Sequence, residues 1–314
     1  MTAVEISLPD ARRAALSRLI DYAGLFPPAS LEMEAAVDGF RAARASSESW
    51  MVDRFICPAG RLEELVAVLA PTMTADEDPW RLAVTAGPGW TGSLNRDAGA
   101  VRTFAATVST AAQVDLVEIR VPDEVASNPS RLAAEAADVL RAFDALVFFE
   151  IPWQSDPAEA FDTLAVLRED TGRALGIKIR CGGSKAALFP DADEVARFIS
   201  AAVGRGLPMK ATAGLHHPFH HTDPQTGFIH HGFVNLLTAA ALASQGMEVA
   251  ALSAVLADED SASFSIGRSG VAWHDQSVDT TALVEMRSHV LIGYGSCSFA
   301  EPVDDLMALG VLPL

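Results

Sequence analysis

The chain has 314 residues, 50% of them apolar and 20% charged, the balance of an ordinary globular protein. Its formal charge of −18 opposes nucleic acid, whose binding rests on neutralising phosphates, yet leaves room for a small anion in a local basic site. No apolar run approaches the roughly 18 residues of a membrane span, and the N-terminal MTAVEISLPDARRAAL lacks the basic-then-apolar order of a signal peptide. Three cysteines make no disulfide framework, so a cytoplasmic protein is expected.

Residues 1–18 read as a leading helix, with Arg12, Arg13 and Arg18 among alanines and leucines. Short apolar runs then alternate with amphipathic segments to the end of the chain, the pattern of βα units around a parallel sheet. Strands are expected at 20–26, 52–57, 81–86, 116–121, 146–151, 176–181, 208–213 and 290–295. Proline or glycine just past most of these runs stops the strand. Helix starts are marked by Asp156-Pro157, with Glu159 at the third helical position, and by Asp191 with Glu194 and Ser298 with Glu301, both spaced as capping boxes. Eight such repeats predict a closed (β/α)8 barrel, a single domain over 1–314. An open dinucleotide-binding sheet would carry G-x-G-x-x-G after its first strand, and here that strand ends in GLFPP. Residues 246–288 break the rhythm: a helix at 248–258, a hairpin at 264–273 and a helix from Asp279 form an insertion, read as a lid or a contact between copies in a homo-oligomer.

Strands buried on both faces should be almost wholly apolar, so charges inside them carry information. Glu118 and Arg120 share one face of the fourth strand, Lys178 and Arg180 one face of the sixth, and Lys210 and Thr212 one face of the seventh. Glu150 ends the fifth. Val117, Ile119, Ile177 and Ile179 fill the opposite face, so parity aims the polar set into the barrel, at the strand ends where this fold places its chemistry. Buried charges must be paired, so a structural ion network is one reading. The other is catalysis: a lysine beside a second cation loses affinity for its proton and becomes a nucleophile toward a carbonyl, with Glu118 or Glu150 moving protons.

Lys210-Ala-Thr-Ala-Gly-Leu215 resembles the Lys-Thr-Ser-Thr-Gly-Phe stretch of the deoxyribose-phosphate aldolases, and Lys178-Ile-Arg-Cys-Gly-Gly183 is similar to their Lys-Ala-Ser-Gly-Gly stretch. The resemblance implies a barrel lyase in which Lys210 forms a Schiff base and Lys178 tunes it. It covers about a dozen residues, in the opposite chain order, and the family's helper aspartate has no counterpart unless Glu118 or Glu150 takes its place. The whole chain also resembles a bacterial (β/α)8-barrel family of unassigned reaction that carries KATAGLHHP and GSCSF motifs.

The loop after Lys210 holds His216, His217, His220, His221, His230 and His231, six of the eight histidines. Neutral imidazoles bind zinc and similar ions, which makes His216, His217 and His220 candidate ligands, although the spacing matches no named site. The alternative is that His216 or His217 acts as an acid or base and the others are solvated. Cys57, Cys181 and Cys297 all fall at strand ends; each is either a small buried hydrophobe or a nucleophile or soft ligand. The turn Gly293-Tyr-Gly-Ser-Cys-Ser-Phe299 leads into the last helix, where barrels often hold phosphate, so Gly295, Ser296 and Ser298, with Gly182 and Gly183, are candidate anion donors. Alternatively, Ser298 only caps that helix. Arg120 and Arg180 at the same rim favour an anionic substrate. Asp21 and Tyr22 lie early in the first strand and read as structural.

The leading expectation is therefore a lyase, aldolase or isomerase for a small anionic carbonyl compound, working through a buried lysine without a cofactor. A metal-dependent lyase or hydrolase using the histidine loop and a non-catalytic small-molecule binder are the alternatives.

Overall fold

The structure, a computed structural model, describes residues 10–73, 77–108, 110–154 and 156–313. Eight parallel strands close into a barrel: β1 (Ile20–Tyr22), β2 (Val52–Pro58), β3 (Trp80–Thr85), β4 (Ala112–Arg120), β5 (Leu146–Glu150), β6 (Leu175–Arg180), β7 (Met209–Thr212) and β13 (Leu291–Ser296), with β13 pairing both β7 and β1. Helices alternate with them, so the chain is a (β/α)8 barrel, and every expected strand has a counterpart within a few residues of its place. The expected leading helix survives as α1 (Ala11–Leu16), and residues 1–9 of that expectation lie outside the described residues.

Strand parity sorts the side chains into two layers. Outside the barrel, Tyr22, Phe55 and Trp80 pack with Phe40 of α2 (Met33–Ala45), the Phe40 and Trp80 ring centroids 4.7 Å apart. Inside, Ala23, Ile56, Ala83, Leu116 and Phe148 form a separate apolar cluster beside the ionic side chains described below. The Phe148 ring occupies the space that Gly176 leaves on β6; a Cβ there would stand 2.4 Å from Phe148 Cε1 and 2.6 Å from the Pro208 carbonyl oxygen. β1 is shorter than the expected 20–26, because after Ala23 the backbone turns on itself, with the Phe26 amide donating to the Ala23 carbonyl and the Leu31 amide to that of Gly24.

Several helices follow from their caps. Asp191 and Glu194 complete a reciprocal capping box at α8 (Ala192–Gly204). At α12 (Ala300–Ala308) only half of the expected box forms: Ser298 Oγ accepts the Glu301 amide at 3.2 Å, while the Glu301 carboxylate turns to His216. After β7 the histidine loop forms a two-strand ladder, β8 (His221–Thr222) and β9 (Ile229–His230), and enters α9 (Phe233–Ser244).

The insertion holds α10 (Val249–Ala257), a hairpin of β10 (Phe264–Ile266) and β11 (Gly270–Trp273), and α11 (Thr280–His289), capped by Asp279. A third strand, β12 (Gln276–Asp279), extends the hairpin. It escaped sequence reading because its turn places His274 at φ 51°, without the Asn-Gly or Asp-Gly that marks such turns. The small sheet packs on α1, α9 and α11, and Phe264 meets Phe219 of the histidine loop.

Among the described residues no helix is long and apolar enough to cross a membrane. Because Gly176 is filled by the Phe148 ring and a backbone oxygen, Gly176→Ala should destabilise the barrel by about 1–3 kcal/mol through overpacking. Urea unfolding of the two proteins measures this, and an unchanged midpoint would show that the β5–β6 interior can relax.

Candidate functional site

Seven charged side chains cross the barrel interior in alternating sign: Arg54, Asp21, Lys210, Glu118, Lys178, Glu150 and Arg180. Glu118 is the centre, with Oε1 accepting from Lys210 Nζ at 2.7 Å and Oε2 from Lys178 Nζ at 2.7 Å. Lys178 also meets Glu150 at 2.8 Å, and Glu150 takes Arg180 at 3.3 Å. On the other side Lys210 is bound by Asp21, whose second oxygen accepts the Arg54 amide at 3.1 Å and faces the Arg54 guanidinium at 3.5 Å. Strand geometry produces this order. Glu150, Lys178 and Lys210 are direct register partners on β5, β6 and β7, while Glu118 and Asp21 reach inward from β4 and β1.

Side-chain exposure grades along the chain and shows which end is open. It is 41% for Arg180, 6% for Lys178 and 1% for Lys210. Solvent therefore meets the network at the C-terminal mouth through Arg180, and Lys178 is the lysine nearer to it. Arg120 stands exposed at the same mouth, with no ion pair among the described residues. At the opposite, N-terminal face, Arg54 is bound by Asp53 and Asp115 beside a cavity of about 470 Å³ that Arg13, Arg18, Arg81 and Arg287 also line.

The electrostatics correct one expectation. Burial pulls Lys178 toward losing its proton, but Glu118 and Glu150 outweigh it and raise its pKa above the ordinary value. The second lysine does not depress the first, because the Glu118 carboxylate stands between them. Burial likewise pushes Glu118 up, and the two ammonium groups overcome it and hold it at about 2. Glu150 is lowered too, against its burial, chiefly by Lys178 and then Arg180.

The other candidates fall into two groups. Thr212 is half-buried and turned inward, next to Gly295, where a Cβ would stand 3.0 Å from Thr212 Oγ1 and 3.1 Å from Ile56 Cδ1. Gly182 lies against Gly214, where an added Cβ would come within 2.9 Å of its backbone, and Gly183 is exposed above Leu188. Ser296 and Ser298 hold their own loop: Ser296 Oγ donates to the Ser298 carbonyl at 2.6 Å, and Ser298 Oγ caps α12. Their hydroxyls are thus engaged within the turn rather than gathered around an anion.

The histidines disperse. His216 Nδ1 binds Glu301 at 2.9 Å, His217 Nδ1 binds Asp305 at 2.8 Å, and His220 faces Glu259 at 3.5 Å. The expected ligand set His216, His217 and His220 is therefore not brought together. Among the described residues no group of three His, Cys, Asp or Glu side chains gathers in a form that could hold a metal ion. His221 and His230 face each other across the β8–β9 ladder, and fully buried His231 bonds the Pro190 carbonyl at 2.7 Å, burial lowering its pKa to about 4. Cys57 and Cys181 are buried, which pushes both thiols to about 12, whereas Cys297 is only partly buried.

Two residues of the network escaped sequence reading. Asp21 read as structural because it sits early in β1, and Arg54 was passed over inside VDRFIC. The signal was present in both cases: a charge inside a largely apolar strand, with parity opposite to Tyr22 and Phe55.

No protein-family model matches the chain, and no curated protein is significantly similar to it.

Removing one member of a buried ion pair leaves an uncompensated charge and costs about 3–5 kcal/mol. Glu118→Gln should lose stability of that order by urea unfolding. In the wild type the Glu118 pKa is depressed on folding. Its contribution is complete above the ordinary 4.5 and is lost as pH falls toward about 2. The slope of stability against pH over that acid range should therefore flatten in the variant; an equal slope would show that Glu118 is not the titrating group.

Proposed function

We propose that this barrel is an enzyme, a lyase or isomerase that makes, breaks or shifts a bond next to the carbonyl of a small anionic substrate. The observation that carries the reading is Lys178, an ammonium held between two inward carboxylates one step below a half-exposed arginine. Structural pairing alone does not call for such an arrangement, since well-packed apolar side chains stabilise a barrel interior as well or better.

In this reading Arg180 and the unpaired Arg120 take the carboxylate or phosphate of the substrate at the mouth, where guanidinium forks match such groups. Binding there draws Arg180 from Glu150. Glu150, freed of one partner, becomes the base that removes a proton next to the carbonyl. The Lys178 ammonium faces the carbonyl oxygen and stabilises the negative charge that develops on it, in an interior where such interactions are strong. Glu118 keeps Lys178 charged and in place. Lys210, sealed beneath it, anchors Glu118 through its own pairing with Asp21.

The resemblance to the Schiff-base aldolases supports a related course. Proton transfer from Lys178 to Glu150, once substrate has displaced the arginine, would release a free amine for attack on the carbonyl, and Lys210 would do so only if the network opened further.

Incubation with a panel of 2-oxo acids and 4-hydroxy-2-oxo acids in heavy water tests the reading. Deuterium exchange next to the carbonyl or carbon–carbon cleavage is expected, reduced by about 100-fold or more in Lys178→Met and Glu150→Gln, in keeping with the loss of a general base or of an oxyanion donor. Arg180→Ala should raise KM more than it lowers kcat. Borohydride separates the two courses, since a reduced adduct on Lys178 or Lys210 forms only through a Schiff base. A panel without exchange or cleavage, or variants as active as wild type, would overturn the proposal.

A further inference from the structure

Cys297 is the one cysteine the barrel does not bury, and it meets a histidine that is itself oriented by a carboxylate. Its Sγ lies 3.7 Å from His216 Nε2 and 3.9 Å from Nδ1. Nδ1 is already engaged by Glu301 Oε2 at 2.9 Å, which leaves Nε2, the nearer nitrogen, for the sulfur. The three residues come from three places: the turn after β13, the loop after β7 and the first turn of α12. Cys297 also stands just ahead of the N-terminus of α12, where the helix dipole favours a thiolate. The His216 side chain is 17% exposed, so a small molecule can reach the pair.

We propose that Cys297, His216 and Glu301 form a nucleophilic thiol site that accepts an acyl group from an activated ester or thioester. Cys297 is the nucleophile, His216 takes its proton, and Glu301 is the positioning residue that holds the imidazole with Nε2 toward the sulfur. The sulfur attacks the acyl carbon and forms a C–S bond. The C–O or C–S bond to the leaving group breaks, and the departing alkoxide or thiolate takes the proton held on His216. A water then attacks the enzyme thioester with His216 as base, releasing the carboxylic acid and restoring the thiol. No oxidant or other reactant is needed. The site shares no residue with the Lys178 network, so either can fail without the other.

The surroundings agree with this assignment. The contact with Cys297, set against burial and aided by Glu301, raises His216 to about 9, so the imidazole beside the sulfur holds a proton firmly. The other titratable groups facing the pair are Tyr22 from β1, raised by burial and then by Cys297, and His230 from β9. Cys57 and Cys181, held near 12 by burial, serve as internal controls.

The test uses 4-nitrophenyl acetate on the intact protein near neutral pH, with peptide mass mapping of the acetyl group. The expected result is a burst of about one nitrophenolate per chain, with the acetyl group on Cys297 and none on Cys57 or Cys181. Folded protein should react at least about tenfold faster at Cys297 than urea-unfolded protein, because only the folded chain holds an imidazole base beside the sulfur. His216→Gln should remove this advantage, and Glu301→Gln should reduce it, while both retain the wild-type melting profile. Thiolate ultraviolet absorbance, lost in His216→Gln, gives a readout that a merely structural histidine would not move. Acetylation of Cys297 no faster in the folded than in the unfolded wild type, or label on the exposed Lys185 rather than Cys297 and without a burst, would overturn the proposal.

Discussion

The barrel interior depends on one carboxylate. Glu118 gives one oxygen to each of two lysines on adjacent strands, and without it two ammonium groups would share a nearly dry interior. That contact fixes the rest of the chain of charges. Each lysine then needs a second acid, which is Asp21 on one side and Glu150 on the other, and each acid is completed by an arginine nearer to solvent. The alternation is the only order in which seven such groups can occupy the middle of a barrel, since any two neighbours of like sign would repel across a medium of low dielectric.

Much of this was legible in the chain. The eight-fold alternation of apolar runs and amphipathic segments specified the barrel, because each parallel strand needs a covering helix and each helix a strand to cover. Parity within the strands is enough to aim Glu118, Lys178, Glu150 and Lys210 inward. Their pairing was not legible, because it is set across the barrel, between β4 and β7 or β1 and β7, where sequence separation carries no information. The same gap led to the expectation that one lysine would depress the other. Two lysines side by side do repel, but adjacency in register does not reveal that a carboxylate from a third strand stands between them.

The histidine loop shows the opposite failure. Six imidazoles in sixteen residues suggest a metal by composition, yet ligation needs convergence, and a hairpin that alternates its side chains sends neighbouring histidines to different places. His217 goes to α12, His220 to the carboxylate of Glu259 and His231 into the core, while His221 and His230 meet at a tilt across their ladder. The pairing of His216 with Cys297 could not be foreseen for the same reason: 81 residues and the whole insertion separate them.

The graded exposure of the charge chain bears on why it exists. An apolar interior would cost less to bury, so the ionic one is stable only as a unit with both ends in contact with water. At the N-terminal face Asp53 and Asp115 tie Arg54 to Arg81, and Arg18 closes on Asp53. These contacts anchor that end. At the C-terminal mouth the last member, Arg180, is held by a single 3.3 Å contact to Glu150 and one weak bond to the Gly182 carbonyl. The network is thus rigid at one end and loose at the other, and the loose end is the one that opens where barrels carry their chemistry. A molecule that binds Arg180 changes the partners of Glu150 first, those of Lys178 next and those of Lys210 least. The upper lysine, Lys178, is thus the one nearer to solvent and Lys210 the one sealed below it, whereas the motif resemblance singles out Lys210.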